Sequence, residues 1–302
     1  MQEHRAGTAK EWKEKARQIE SMGYSAFYLP DHFNEQLSPI AGLMAAADAT
    51  TKLRVGSLVF DNDYRHPVVL AKEMATLDLL SDGRLDLGLG AGWLKSDYDQ
   101  AGMQYDSPGT RIERLEEGLR IIKGMFAGGK FSFTGKHYSV NEIEGYPPPV
   151  QKPHPPIMLG GGGRRMLSLA AREADVVHVN YNLAEGRVNA NVVSTGRASA
   201  TDEKLGWIKE AAGDRFEQLE LAATMFFTSV TDDREGVAEA FAPRLRLDPE
   251  EIVGMPHFLI GTIDQLVADI EARRERFGIS FFVVQGEVAE ELAPVVERLA
   301  GK

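Results

Sequence analysis

The chain has 302 residues, 43% hydrophobic and 26% charged, a balance that suits a folded protein with a sizeable core and excludes collagenous and long disordered classes. It contains no cysteine, which removes disulfide frameworks and thiolate metal sites and makes the reducing cytoplasm the expected location. A formal charge of −11 repels nucleic acid and anionic membrane, no apolar run approaches the ~20 residues of a membrane helix, and the opening MQEHRAGTAKEWKEK lacks the apolar middle of a signal peptide, so a small-molecule substrate is the expected partner.

Along the chain, short β-branched or apolar runs alternate with amphipathic helical segments, the order expected of strand–helix units around a parallel sheet. Thr8 and Glu11 form a capping box, after which Trp12, Ala16 and Ile19 share one helix face. Strands follow at SAFYLPD, ending at Asp31, at LRVGSLVF, ending at Phe60, and at RLDLGLGAG, ending at Gly92. Thr110 with Glu113 reads as a second capping box, ahead of Ile112, Leu115, Leu119, Ile122 and Phe126 at spacings of three and four. Residues 128–155 contain FSFTGKHYSV, an alternating stretch broken by Thr134-Gly135-Lys136, which reads as an inserted hairpin. PPIMLGG, ending near Gly161, and ADVVHVN, ending at Asn180, are the next strands; residues 182–213 are a polar insertion without a strand, carrying a helix at 202–212. LELAATMFFTSV, ending at Val230, and SFFVVQG, ending at Gly286, complete the set, with a helix on Ile263, Leu266, Val267, Ile270 and Phe277 between them. That makes seven strands, one short of a closed eight-stranded barrel, in a single domain over residues 1–302 with no dividing linker.

In parallel α/β barrels the reactive groups sit where strands end and loops begin. The rule selects Asp31-His32, Asp61-Asn62-Asp63, Gly90-Ala91-Gly92-Trp93, the run Gly160, Gly161, Gly162, Gly163 with Arg164 and Arg165, Asn180-Tyr181 and Gln285. In LGGGGRR a strand passes into a helix, so bare backbone N–H groups, a helix N-terminus and two arginines stand together where a phosphate could be held. The alternative is a flexible turn that permits close packing; four consecutive glycines cost enough chain entropy to favour the phosphate. GLGAG at 88–92 is weak as a dinucleotide motif, and its glycines suit the close approach of a planar ligand. Asp31-His32 is the acid–base candidate, although such a pair is equally read as a helix cap with a structural hydrogen bond. The other histidines form no HExxH or clustered ligand pattern, which gives no metal site; Asp61 and Asp63 read as turn chemistry; no nucleophile elbow supports covalent hydrolysis.

Taken in order, LPDHF (29–33), LRVGSLVFDNDYRHP (53–67), GRLDLGLGAGWLKSDY (83–98), RIERLEEGL (111–119) and PPIMLGGGGRRML (155–167) resemble the luciferase-like flavin and deazaflavin oxidoreductases. Within them, DNDYRHP, LGGGGRRMLSLAAREAD and ATDEKLGWIKEAAGDRF are most similar to an actinobacterial F420-dependent branch. The resemblance implies an α/β fold, a TIM-like (β/α)8 barrel with insertion loops, holding F420, or alternatively FMN. It implies that catalytic Asp31 and His32 face the redox ring, that Leu58 and Val59 form a bulge beneath it with a non-proline cis peptide, and that Asn62, Gly90, Ala91, Gly92 and Trp93 line it. Gly160, Gly161, Gly162, Gly163 and Arg164 are implied near the phosphate. Hydride transfer between F420 and a small organic substrate is the expected reaction, with an FMN-dependent monooxygenase and a non-catalytic flavin-binding barrel as alternatives; a homodimer is expected by analogy. Two departures stand out. Where sugar-phosphate dehydrogenases of this superfamily carry an acidic residue after GxGxG, this chain has Trp93. The short first strand of the family lies just upstream of the position where this chain starts, and Gln2 falls where it would be ending, so that strand is expected to be truncated or absent, with the assigned start downstream of the true one.

Overall fold

The computed structural model describes residues 1–301. The chain divides into two compact units, each described by itself: an N-terminal unit of His4–Gln18 and Ala26–Leu159, and a C-terminal unit of Met1–Glu3, Ile19–Ser25 and the chain from Gly160 onward. Both are built from parallel strands and helices, the α/β class.

In the N-terminal unit the strands are β1 (Ala26–Leu29), β2 (Arg54–Ser57), β3 (Phe60–Asp61), β4 (Leu85–Gly90) and the start of β7 (Ile157–Gly161), in the order β1-β2-β4-β7 with β3 also on β4. All these pairings are parallel, with Ala26 opposite Arg54, Val55 opposite Leu85 and Leu87 opposite Ile157. Every residue of β1 and β4 is buried, as expected of strands covered on both faces. The run LRVGSLVF is not one strand: β2 stops at Ser57 and β3 begins at Phe60, and the Leu58–Val59 peptide between them is cis. The glycines of β4 make room for this irregularity, since a Cβ at Gly88 would run into the Ser57 carbonyl oxygen and one at Gly90 would lie 2.6 Å from a Val59 methyl.

Helix α1 (Ala9–Ser21) starts at the expected capping box: Thr8 Oγ1 accepts from the Glu11 N–H at 3.2 Å, and Glu11 accepts from the Thr8 N–H at 3.0 Å. Its Trp12 meets Phe27 edge-on at 5.1 Å and donates its indole N–H to the Gly42 carbonyl on α2 (Pro39–Ala49). After α3 (Pro67–Leu80) and the short α4 (Lys95–Ala101) comes α5 (Pro108–Phe126), whose cap is Ser107 and not Thr110. Pro108 suits the first helical position because it has no N–H to leave unpaired, so the helix begins before the predicted box. Strands β5 (Lys130–Thr134) and β6 (Ser139–Glu144) form an antiparallel hairpin.

The C-terminal unit pairs β8 (Val176–Val179), β9 (Glu220–Met225) and β12 (Ile279–Val284) in parallel; α6 (Arg164–Glu173) precedes β8, and α7 (Ala190–Ser194) and α8 (Ala198–Ala212) lie between β8 and β9. Where a truncated or absent first strand is expected above, Gln2 makes an isolated parallel bridge to Gln285. The Gln2 N–H donates to Val284 and its carbonyl accepts from Gly286, both at 2.8 Å. LELAATMFFTSV also divides, into β9 and β10 (Phe227–Val230), because β10 pairs instead with β11 (Phe258–Gly261), a strand the sequence reading omits. Helices α9 (Arg234–Leu245) and α10 (Pro249–Val253) precede β11, and α11 (Ile263–Phe277) and α12 (Ala293–Leu299) follow it. Tyr181, Val192, Ala238, Leu247, Ile252, Met255, Phe258 and Ile260 form one apolar cluster around this part. Among the described residues no helix is long and apolar enough to cross a membrane.

Candidate active site

At the end of β1 the backbone delivers Asp31 and His32 side by side, and their side chains go to different partners. Asp31, 5% exposed, takes both nitrogens of Arg65, at 2.5 and 3.0 Å, and the Asp61 N–H at 3.1 Å. A carboxylate so fully occupied braces the 61–65 segment. His32 Nδ1 donates to Asp97 Oδ2 at 2.7 Å, and the Tyr64 hydroxyl donates to the same oxygen at 3.2 Å. The imidazole stands edge-on to Trp93, 5.7 Å between centroids, while Gln36 holds the His32 carbonyl at 2.7 Å. Beside it Phe33, half exposed, packs on Tyr64 at 4.5 Å.

Behind this edge lies a second layer of carboxylates. Asp63 binds Arg114 of α5 through two oxygens at 2.8 and 2.9 Å, and Arg114 also holds Asp106 at 2.6 Å. Asp61 has no arginine: it accepts from the Tyr98 hydroxyl at 3.1 and 3.2 Å and from the Asp63 N–H at 2.9 Å. Burial pushes its pKa up to about 7, the Asp63 charge adding to the shift and the two hydrogen bonds opposing it. Burial and the neighbouring carboxylates likewise hold the Tyr64 and Tyr98 phenols well above their ordinary range.

The Gly90-Ala91-Gly92-Trp93 turn lies over this layer. Gly92 has φ +74°, and a Cβ there would strike the Tyr98 hydroxyl and approach Asp61 to 2.5 Å, so glycine is required by both conformation and space. Arg111, 2% exposed, donates to the Ala91 carbonyl at 3.2 Å, and Tyr105 donates to the Trp93 carbonyl at 2.9 Å. Asn62 is buried and used internally, its amide donating to the Tyr138 hydroxyl at 3.2 Å. Leu58 is 9% exposed, at the cis bond with Val59. One unit thus brings together His32, Asp31, Leu58, Val59, Asn62, Gly90, Ala91, Gly92 and Trp93. The sequence reading missed Asp97, Tyr64 and Arg65 as partners and took Asp61 and Asp63 for turn chemistry. The signal was present in the acidic-aromatic pair Asp97-Tyr98 after Trp93 and in DNDYRHP.

The glycine run belongs to the C-terminal unit. Gly160 and Gly161 end β7, Gly162 packs so closely on the Tyr181 carbonyl that a Cβ would clash, and Gly163 is the N-cap of α6, which no side chain caps. None of the four has positive φ, so the run is no backbone nest; what it offers is a helix N-terminus, with only Asn182, at 3.8 Å, near the place of a Gly163 Cβ. Arg164 pairs with Glu210 of α8 at 2.8 Å, both side chains exposed. Deeper in this unit His178 Nε2 lies 2.9 Å from Thr224 Oγ1, and His257 Nδ1 donates to the Thr224 carbonyl at 3.0 Å. Burial lowers these two pKa values to about 4 and about 3. Lys204, buried and lowered by desolvation to about 8, donates to the Asn180 and Thr195 carbonyls at 2.7 and 2.6 Å. Among the described residues no group of three or more His, Cys, Asp or Glu could hold a metal ion.

Comparison with known proteins gives relatives of two cofactor types. The FMNH(2)-dependent dimethylsulfone monooxygenase of Pseudomonas putida is 32% identical over 168 residues, 56% of this chain and 45% of that protein. The F420-dependent glucose-6-phosphate dehydrogenase of Microbacterium testaceum is 30% identical over 164 residues, 52% of this chain and 48% of that protein. The chain thus spans less than half the length of these curated relatives. Among solved structures, the coenzyme F420-dependent tetrahydromethanopterin reductase of Methanopyrus kandleri superposes with a TM-score of 0.77 at 20% identity, covering 99% of this chain and 96% of that one, which shows the TIM-like α/β fold. A model of the luciferase-like monooxygenase family matches residues 1–280, and the chain belongs to that family.

Proposed function

We propose that the protein is an F420-dependent oxidoreductase that moves a hydride between the deazaflavin and a small organic substrate. The observation that carries the reading is His32 at the end of β1, hydrogen-bonded through Nδ1 to buried Asp97. Oxidising an alcohol or reducing a carbonyl by hydride needs a proton moved at the oxygen, and a positioned imidazole is the side chain suited to that near neutral pH. Similarity to F420-dependent relatives supports the choice of cofactor.

Leu58, Val59, Ala91, Gly92 and Trp93 would contact the cofactor ring. Within the C-terminal unit, taken by itself, the uncapped N-terminus of α6 suits an anion through its backbone N–H groups. Arg164 could join it at small cost, since its exposed pair with Glu210 contributes about 0–1 kcal/mol. Bound deazaflavin would supply the two-electron hydride chemistry. His32 would take or give the proton at Nε2, Trp93 would limit its ring motion, and Asp31 with Arg65 would hold the strand end in place. Trp93 instead of a carboxylate argues against a sugar-phosphate substrate.

The alternative is an FMN-dependent monooxygenase, favoured by the dimethylsulfone enzyme. Titration of the purified chain with F420 and with FMN, followed by absorbance, separates the two. F420 binding with reversible reduction of the deazaflavin by a substrate is expected; tight FMN binding without F420 binding overturns the proposal.

A further inference from the structure

The buried acids of the N-terminal unit differ in their partners. Arg65 neutralises Asp31, Arg114 neutralises Asp63, and burial holds Asp61, which has no guanidinium, toward its protonated form. Asp97, 3% exposed, has an imidazole as its partner, that of His32, at 2.7 Å. The second donor on the same oxygen is the Tyr64 hydroxyl, which burial and the surrounding carboxylates keep protonated and therefore donating. The Asp97 carboxylate offers no hydrogen to His32, so the neutral ring must carry its hydrogen on Nδ1.

We infer that Asp97 is the positioning residue of the site: it locks His32 as the Nδ1–H tautomer and directs the basic Nε2 toward substrate. The inference rests on the proposed role of His32. In the oxidising direction His32 Nε2 would take the proton released as the substrate O–H bond breaks, and bound deazaflavin would supply the acceptor for the hydride of the C–H bond. The carbonyl product leaves, and the ring, now with hydrogen on both nitrogens, is a cation whose counter-charge is already in place 2.7 Å away. Reduction runs the same steps backward. Tyr64 holds the second approach to Asp97 Oδ2, and the Asp97 N–H donates to the carbonyl of Leu94, the N-cap of α4, at 3.0 Å, which fixes the backbone that carries the side chain.

The experiment is nitrogen-15 NMR of the histidine rings in the intact chain without cofactor, the His32 signals being assigned by their loss in His32→Gln. A single Nδ1–H tautomer in the neutral ring is expected; an Nε2–H form, or a mixture of the two, overturns the inference. This readout needs no turnover, so it stands or falls independently of F420. In Asp97→Ala the locked tautomer should give way to a mixture, and turnover should fall about 10²- to 10⁴-fold, the usual contribution of a positioned acid–base group, with KM within about threefold. An Asp97→Ala protein with unchanged tautomer and unchanged kcat also overturns it. Tyr64→Phe should lower kcat by less than tenfold and leave the tautomer in place.

Discussion

The two units bury polar groups in opposite ways. The N-terminal unit pairs Asp31 and Asp63 each with two nitrogens of an arginine. The C-terminal unit buries bases, His178, His257 and Lys204, whose hydrogen bonds go to hydroxyl and carbonyl oxygens, so desolvation drives all three toward the neutral form. A guanidinium pair preserves a buried charge because each oxygen gains a charge-assisted bond in return for lost hydration. A hydroxyl or carbonyl returns much less, so desolvation lowers the pKa of each buried base. The first arrangement can hold a charge fixed beside a reaction; the second makes a quiet interior.

This contrast should break most severely at Arg65. Arg65→Ala leaves Asp31 buried without its cation and should cost about 3–5 kcal/mol in urea denaturation, whereas Asp31→Asn should cost clearly less. An equal loss in both variants would show that the pair is not what braces the strand end.

The pH dependence of stability should carry opposite signs in the two units. His178 and His257 titrate at about 4 and about 3 when folded, against about 6.5 in the unfolded chain, so the unfolded state binds more protons below pH ~6.5. Their contribution is complete above that pH and is lost as the pH falls toward 4, by a few kcal/mol. Asp61 behaves in reverse: with a folded pKa of about 7 against about 3.9 unfolded, its contribution is present in acid and is lost as the pH rises from ~4 through 7. The two effects partly cancel in the whole protein between pH 4 and 6.5. Asp61→Asn should therefore steepen the acid loss measured by thermal melts, and His178→Phe should flatten it; parallel curves for both variants would refute the assignment.

Glycines offer a sharper version of the same comparison. Gly92→Ala must accept φ +74° and a clash with Tyr98 and Asp61, and should cost about 2–4 kcal/mol. Gly163→Ala has room and an ordinary φ, and should cost under about 1 kcal/mol. The smallest effect is expected at Arg164→Ala, within about 1 kcal/mol of wild-type stability, yet with weaker binding of inorganic phosphate that depends more shallowly on salt. Unchanged phosphate affinity would remove Arg164 from an anion site at α6.

Much of the site was legible because its parts are close in sequence. The strand-end rule placed Asp31 and His32, and the family motif placed Leu58–Val59, where the chain does adopt a cis peptide. Reading Asp61-Asn62-Asp63 as a turn was partly correct, since Asp61 accepts from the Asp63 N–H. What escaped was the pairing of Asp63 with Arg114, fifty-one positions later, and of His32 with Asp97, sixty-five positions later. Strand β11 escaped for a different reason: an apolar run of four residues has no periodicity that separates a strand from a short buried helical segment.

Hydrophobic spacing and local hydrogen-bond chemistry were enough to specify the alternation of strands and helices, the capping box at Thr8 and the glycines at strand ends, because each depends on residues a few positions apart. Which acid meets which base, and therefore which groups remain charged, came from the packing of distant segments. Burial and charge separation depend on distances in space that follow from the folded register of α4 and α5, and sequence spacing does not encode those distances.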